Sequence, residues 1–112
     1  MPRWRLFYHT VWATHSRLPL LDEHLAETVR QSIAAVSTSH RSLIHAIGIM
    51  PDHVHVAISI PPAKSISIVM QGLKGVSSKR INLNGTDFGE FRWQTEYGVL
   101  SFAENALPAV VD

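Results

Sequence analysis

Hydrophobic and polar positions alternate along this chain with two different periods, and the changes of period mark its elements. From Trp4 to Thr14 the side chains fall into two sets, Trp4, Leu6, Tyr8, Thr10 and Trp12 on one face and Arg5, Phe7, His9, Val11 and Ala13 on the other. Both sets carry apolar groups, as expected of a central strand covered on each side. The period then lengthens. Leu25, Val29, Ile33 and Val36 recur at spacings of four, four and three, one stripe of a helix predicted from Asp22 to about Val36. Asp22 suits the N-cap, and Glu23 and Glu27 suit the positive end of the helix dipole. Leu43 to Ile49 reads as a second strand, apolar apart from His45. Pro51 and Asp52 form a turn, Asp52 being able to bond back to the adjoining backbone. Val54, Val56, Ile58 and Ile60 then alternate with His53, His55, Ala57 and Ser59, the period-two mark of a half-buried strand.

Pro61 and Pro62 end that strand, and a second helix is predicted from about Ser65 to Ile81 with Ile66, Val69, Leu73 and Val76 inward. Gly72 and Gly75 within it point to a close approach of another backbone. Asn82 to Glu90 reads as a loop, Trp93 as a residue sealing the core, and Thr95 to Phe102 as a fourth strand that includes Tyr97. Residues 103–112 read as the start of a third helix, a stub that stops without a C-terminal capping signal. Strand, helix, strand, strand, helix, strand is the split βαβ order. The expectation is an α+β, ferredoxin-like βαββαβ fold: a four-stranded antiparallel sheet, two helices on one face, and the C-terminal helix stub. The first and third strands would be central. The aliphatic side of the third strand would meet the helices, leaving His53 and His55 on the open side.

Composition narrows the classes. A length of 112 residues fits one domain, spanning 1–112, and 46% hydrophobic residues suffice for a modest core. The absence of cysteine excludes disulfides and thiolate metal sites. No apolar run reaches the ~18 residues of a membrane span. The N-terminus lacks a signal-peptide core, so a cytoplasmic protein is the expectation. A formal charge of +1 does not announce a nucleic-acid binder, so such a role rests on where the charges sit.

Two positions carry candidate chemistry. His53 and His55, at i and i+2 of a strand, project the same way with α-carbons about 6.6 Å apart. Two neutral imidazoles so placed can converge on one metal ion, or can simply be polar residues of a solvated face. His9 reads as a packing residue and His15 as a loop residue, neither with ligand spacing to anything nearby. The second position is the end of the second helix, Lys74-Gly75-Val76-Ser77-Ser78-Lys79-Arg80. It reads either as a solvated helix end with cations favoured by the dipole or as a surface contacting phosphates.

Pro51-Asp52-His53-Val54-His55, then Leu73-Lys74-Gly75-x-Ser77-Ser78, then Trp93-Gln94-x-x-Tyr97, in this order and on this fold, resembles the small single-tyrosine HUH transposases, of the insertion-sequence 200 and REP-associated types. The resemblance runs from about Tyr8 to Asp112. It implies a divalent metal, magnesium or manganese, on His53 and His55. It implies metal-dependent cleavage and rejoining of single-stranded or hairpin DNA through a 5′ phosphotyrosine, in a homodimer. On that reading Lys74, Ser77, Ser78, Lys79 and Arg80, with Arg3 and Arg5 at the N-terminus, would contact DNA. The family nucleophile lies on a helix after the fourth strand, in a Tyr-x-x-x-Gln pattern with no match here. Neither Tyr8 nor Tyr97 has its position. The expectation is therefore a transposase domain lacking the catalytic tyrosine helix and inactive as it stands, with no catalytic residue assigned. The alternatives are a non-catalytic hairpin-DNA-binding module and a ferredoxin-like protein whose histidines are incidental.

Overall fold

The structure, a computed structural model, describes residues 6–102. The predicted third helix, Arg3 and Arg5 lie outside those residues. Four strands and two long helices follow in the expected order: β1 (Leu6–Ala13), α1 (Glu23–Ser39), β2 (Leu43–Met50), β3 (His53–Ile60), α2 (Ile66–Asn84) and β4 (Gly98–Phe102). The sheet order is β2-β3-β1-β4, every pair antiparallel, so β1 and β3 are central. This is the expected α+β, ferredoxin-like arrangement.

Local chemistry sets the boundaries. The Asp22 carboxylate accepts from the Leu25 amide at 2.9 Å and caps α1, while Ser65 accepts from the amides of Ser67 and Ile68 and caps α2. Helix α1 runs three residues beyond the predicted Val36. Ser37 is buried and its hydroxyl donates to the Ser42 carbonyl at 2.7 Å, so this serine secures the helix exit. Helix α2 likewise continues past Ile81 to Asn84. The Asn82 side chain accepts from the Phe91 amide and donates to the Phe91 carbonyl, tying the helix end to the returning chain.

The core lies between the sheet and the helices. Val54, Val56, Ile58 and Ile60 are fully buried beside Val29 and Ile33 of α1 and Val69, Met70, Leu73 and Ile81 of α2. The inward face of α2 therefore includes Met70, Ser77 and Ile81, whereas Ile66 and Val76 sit partly buried at its margin. At Gly72 an added Cβ would lie 3.1 Å from Val36 Cγ1, so this glycine permits the close approach of α1 and α2. Gly75 has open space around it and marks no such contact. Trp93 meets Trp12 and Phe91 edge-to-face, at ring separations of 5.8 and 4.8 Å, and closes the core. Strand β4 begins only at Gly98, later than the predicted Thr95, so Tyr97 precedes it.

Candidate metal and nucleic-acid site

Strand β3 presents its two faces as the alternation requires. Its aliphatic side is sealed against the helices, and His53 and His55 lie on the opposite side, half-buried. Their Nε2 atoms are 3.0 Å apart, with ring centroids 4.8 Å apart at 69°. Adjacent ligands of one octahedral ion, each about 2.1 Å from it, are separated by roughly 3.0 Å. This spacing suits two ligands of one cation and equally a hydrogen bond between the two rings in the absence of an ion, its direction depending on the tautomers.

The carboxylate of Asp52 lies 2.7 Å from His53 Nδ1. An ionised carboxylate accepts here, so Nδ1 carries the proton, and in the neutral tautomer of that ring the lone pair is on Nε2, the atom nearest His55. A metal-binding imidazole commonly gives its other N–H to a carboxylate in this way. Arg17 Nη2 sits 3.4 Å from Asp52 Oδ2. The hydrogen bond from His53, together with Arg17, holds the Asp52 carboxyl below its ordinary value. Burial, then the neighbouring charges of His53 and His9, pushes His55 below the ordinary histidine value and favours the neutral ring a metal needs. The turn beneath is anchored: the Thr14 amide donates to the Asp52 carbonyl, and the Leu21 amide to that of Pro51, both at 2.9 Å. The donor set therefore fits a divalent cation as two ligands with one supporting carboxylate. Among the described residues no group of three or more His, Cys, Asp or Glu is arranged around a common ion.

Two members of this cluster escape the sequence reading. Asp52 serves the His53 ring as well as the turn. His9, read above as a packing residue without a nearby partner, stacks on His55, with ring centroids 5.5 Å apart and planes 8° apart. Strand β1 pairs antiparallel with β3, Val11 opposite His55 and His9 opposite Ala57, so His9 is the diagonal neighbour of His55. The one available signal is that His9 belongs to the non-helical face of a strand expected to lie beside β3. The register is invisible in either strand alone.

The basic run predicted at the helix end lies instead within α2, which continues to Asn84 and has no basic residue in its last turn, and its members separate. Lys79 and Arg80 are exposed. The expectation that Ser77 contacts phosphate does not suit its placement: Ser77 is fully buried, donates to the Leu73 carbonyl at 2.7 Å, and accepts from Trp93 Nε1 at 2.9 Å. Lys74 is likewise turned to another task. Its ammonium donates to the carbonyls of Gln94, Thr95 and Glu96, the last two at 2.9 and 3.4 Å, and lies 5.8 Å from the centre of the Tyr97 ring. Burial lowers its pKa, while Glu96 acts the other way. Lys74 and Ser78, four residues apart on α2, line a groove of about 730 Å³ with Gln71, Arg92, Gln94 and Tyr97.

Both tyrosines of the sequence lie away from the histidine face. Tyr8 alternates with His9 and packs at the helix-side core with Trp12. Gly98 pairs with Val11, which pairs with His55, so Gly98 is on the histidine face and Tyr97, one residue earlier, turns to the Lys74 side. Among the described residues no helix is long and apolar enough to cross a membrane.

The family model described as "Transposase IS200 like" matches residues 2–112. The ISDra2 transposase TnpA of Deinococcus radiodurans is 26% identical over 107 residues, which is 91% of this chain and 76% of that protein. A crystal structure of a transposase from Deinococcus radiodurans R1 superposes with a TM-score of 0.79 at 26% identity, covering 97% of this chain and 88% of that one. A REP-associated tyrosine transposase bound to a REP hairpin shares the fold, with a TM-score of 0.70 at 18% identity, covering 99% and 67% of the two chains.

Proposed function

This chain belongs to the IS200-like transposase family, and from that premise we propose that residues 1–112 form one transposase domain that binds a divalent metal on His53 and His55 and takes hairpin or single-stranded DNA as its substrate. The carrying observation is the 3.0 Å separation of the two Nε2 atoms, with Asp52 on the far side of the His53 ring. Each residue has its own task. Asp52 keeps the Nδ1 proton of His53, so that Nε2 is free to coordinate. Burial favours the neutral form of His55. A magnesium or manganese ion bound there would act as a Lewis acid toward a phosphate.

Lys79 and Arg80 support the DNA reading, because both are exposed cations on the second half of α2, about a turn before it ends at Asn84. Ser78 lines the neighbouring groove, where Arg92 adds another charge. Arg3 and Arg5 belong to the same proposal. Lys74 and Ser77 enter it differently, as supports of the 93–97 segment that borders the groove. A hairpin is the proposed ligand, in keeping with the REP hairpin on the REP-associated structural neighbour. The homodimer is proposed on family grounds and on the exposed Leu43 and Met50, paired with Ser59 and His53 on the histidine side of the sheet.

Neither Tyr8 nor Tyr97 shares the histidine face, so neither is proposed as a nucleophile for phosphotyrosine formation. The 112-residue polypeptide alone is expected to bind a hairpin and manganese without becoming covalently attached to DNA. Two measurements test this. Calorimetric titration with manganese should give a signal in the wild type that His53→Ala removes; equal heats in both would end the metal assignment. A labelled hairpin incubated with manganese and run on a denaturing gel should show no adduct. An adduct lost in Tyr97→Phe would place the nucleophile on the β4 approach instead.

A further inference from the structure

The chain carries a third imidazole at the site. His9 lies on β1, the strand next to β3, and its ring is nearly parallel to that of His55, with centroids 5.5 Å apart and planes 8° apart. His53 meets His55 edge-to-face, at 4.8 Å and 69°, with the two Nε2 atoms 3.0 Å apart. On the β2 side, Gly48 pairs with His55 and has no side chain; a Cβ built there would lie 3.6 Å from His55 Cδ2. The His55 ring therefore has an edge-to-face and Nε2–Nε2 contact at His53, bare backbone at Gly48 and one parallel, laterally displaced ring neighbour, His9. Ala57, opposite His9 in the register, is small enough to let the His9 ring lean along the sheet toward His55. Among the described residues the nitrogens of His9 make no hydrogen bond, so stacking is the contact that defines its place there.

We infer that His9 is a positioning residue: its imidazole holds the His55 ring in the orientation that aims Nε2 at the same point as Nε2 of His53. The inference rests on the metal reading above and goes beyond it, since that reading needs only the two β3 histidines. Its physical basis is rotamer restriction. His53 is oriented by the Asp52 carboxylate on its Nδ1. His55 has no such carboxylate among the described residues, and the stacked ring takes over that function. Ordering a freely turning ligand on metal binding opposes affinity, and a ring already held parallel to an offset neighbour has less of that freedom to lose.

The test separates the stacking role from coordination and from the metal reading itself. Manganese affinity is measured for the wild type and for His55→Ala, His9→Ala and His9→Phe, each checked for folding by circular dichroism. An aromatic pair is worth enough to change affinity by about 3- to 10-fold, so His9→Ala should weaken binding by that factor and His9→Phe should recover it to within about twofold. In the metal-free proteins, the His55 ring protons should lose their upfield ring-current shift in His9→Ala and keep it in His9→Phe. This second readout involves no ion. If the wild type binds no manganese, both readings fall. If His55→Ala abolishes binding while His9→Ala leaves it unchanged, only the inference falls. If His9→Phe is as weak as His9→Ala, the ring nitrogen is what matters and the positioning role is wrong.

Discussion

The start of β3 and the second half of α2 each crowd polar side chains into a few residues, but only the first gathers them at one place. His53 and His55 meet at 3.0 Å, with His9 stacked on one and Asp52 bonded to the other. Along α2, Lys74 turns to the carbonyls of residues 94–96, Ser77 disappears into the core, and Lys79 and Arg80 reach solvent. The two geometries explain the contrast. A strand has two faces, so residues two apart share one. A helix turns about 100° per residue. Measured from Lys74, Ser78 is then displaced by about 40°, Lys79 by about 140° and Arg80 by about 240°. A run of seven helical residues surrounds the axis and cannot make one patch.

The largest effect that would break this contrast is at Ser77. If it belongs to the core, Ser77→Ala strands the Trp93 indole N–H, and an unsatisfied buried donor costs about 1–3 kcal/mol. Urea denaturation should show that loss, with hairpin affinity changed only as far as folding is changed. Full stability combined with a selective loss of DNA binding would return Ser77 to the surface and join the pieces of the basic run again.

The exposed cations give the converse experiment. Lys79→Ala and Arg80→Ala should each alter stability by no more than about 0.5 kcal/mol. Each should also reduce the slope of log affinity against log salt by about 0.7 to 0.9 if its charge neutralises one phosphate. The same substitution at Lys74 should change the slope less, because its ammonium already donates to backbone carbonyls. A slope altered by Lys74→Ala and untouched by the other two would reverse the assignment.

These contrasts also mark how far the chain could be understood from its residues. The element order follows from the succession of periods along the chain, the central place of β1 from the apolar groups on both faces of residues 4–14, and the side of β3 that bears the histidines from the period-two alternation of residues 53–60. Three things did not follow. His9 joins the site through the β1–β3 register, a property of two distant segments that neither encodes locally. Ser77 is inward because α2 buries Met70, Ser77 and Ile81, and a serine in a basic run gives no apolar signal of that face. Asp52 was assigned to its turn, since the position of the next side chain depends on where β3 begins. The first two omissions concern contacts between separate segments and the third the orientation of one side chain where a strand begins, whereas the correct readings concern patterns within one element.

The smallest expected effect concerns Asp52, which links the histidine side of the comparison to solvent. Its carboxyl is held below the ordinary 3.8, chiefly by the hydrogen bond from His53 and secondarily by the Arg17 charge. A carboxyl depressed in the folded state stabilises the fold above its unfolded pKa, and that contribution is lost as pH falls through the lower, folded value. The Asp52–His53 contact should therefore survive acidification past 3.8, within the range where ordinary carboxylates are already taking up protons. Carbon-detected titration of the Asp52 carboxyl should give a midpoint below 3.8 in the wild type, raised by Arg17→Ala and raised further by His53→Ala. The order of those two increments matters most. If Arg17→Ala accounts for the whole depression, the Asp52–His53 bond does not form in solution, and His53 is oriented by its strand alone, as His55 would be without His9.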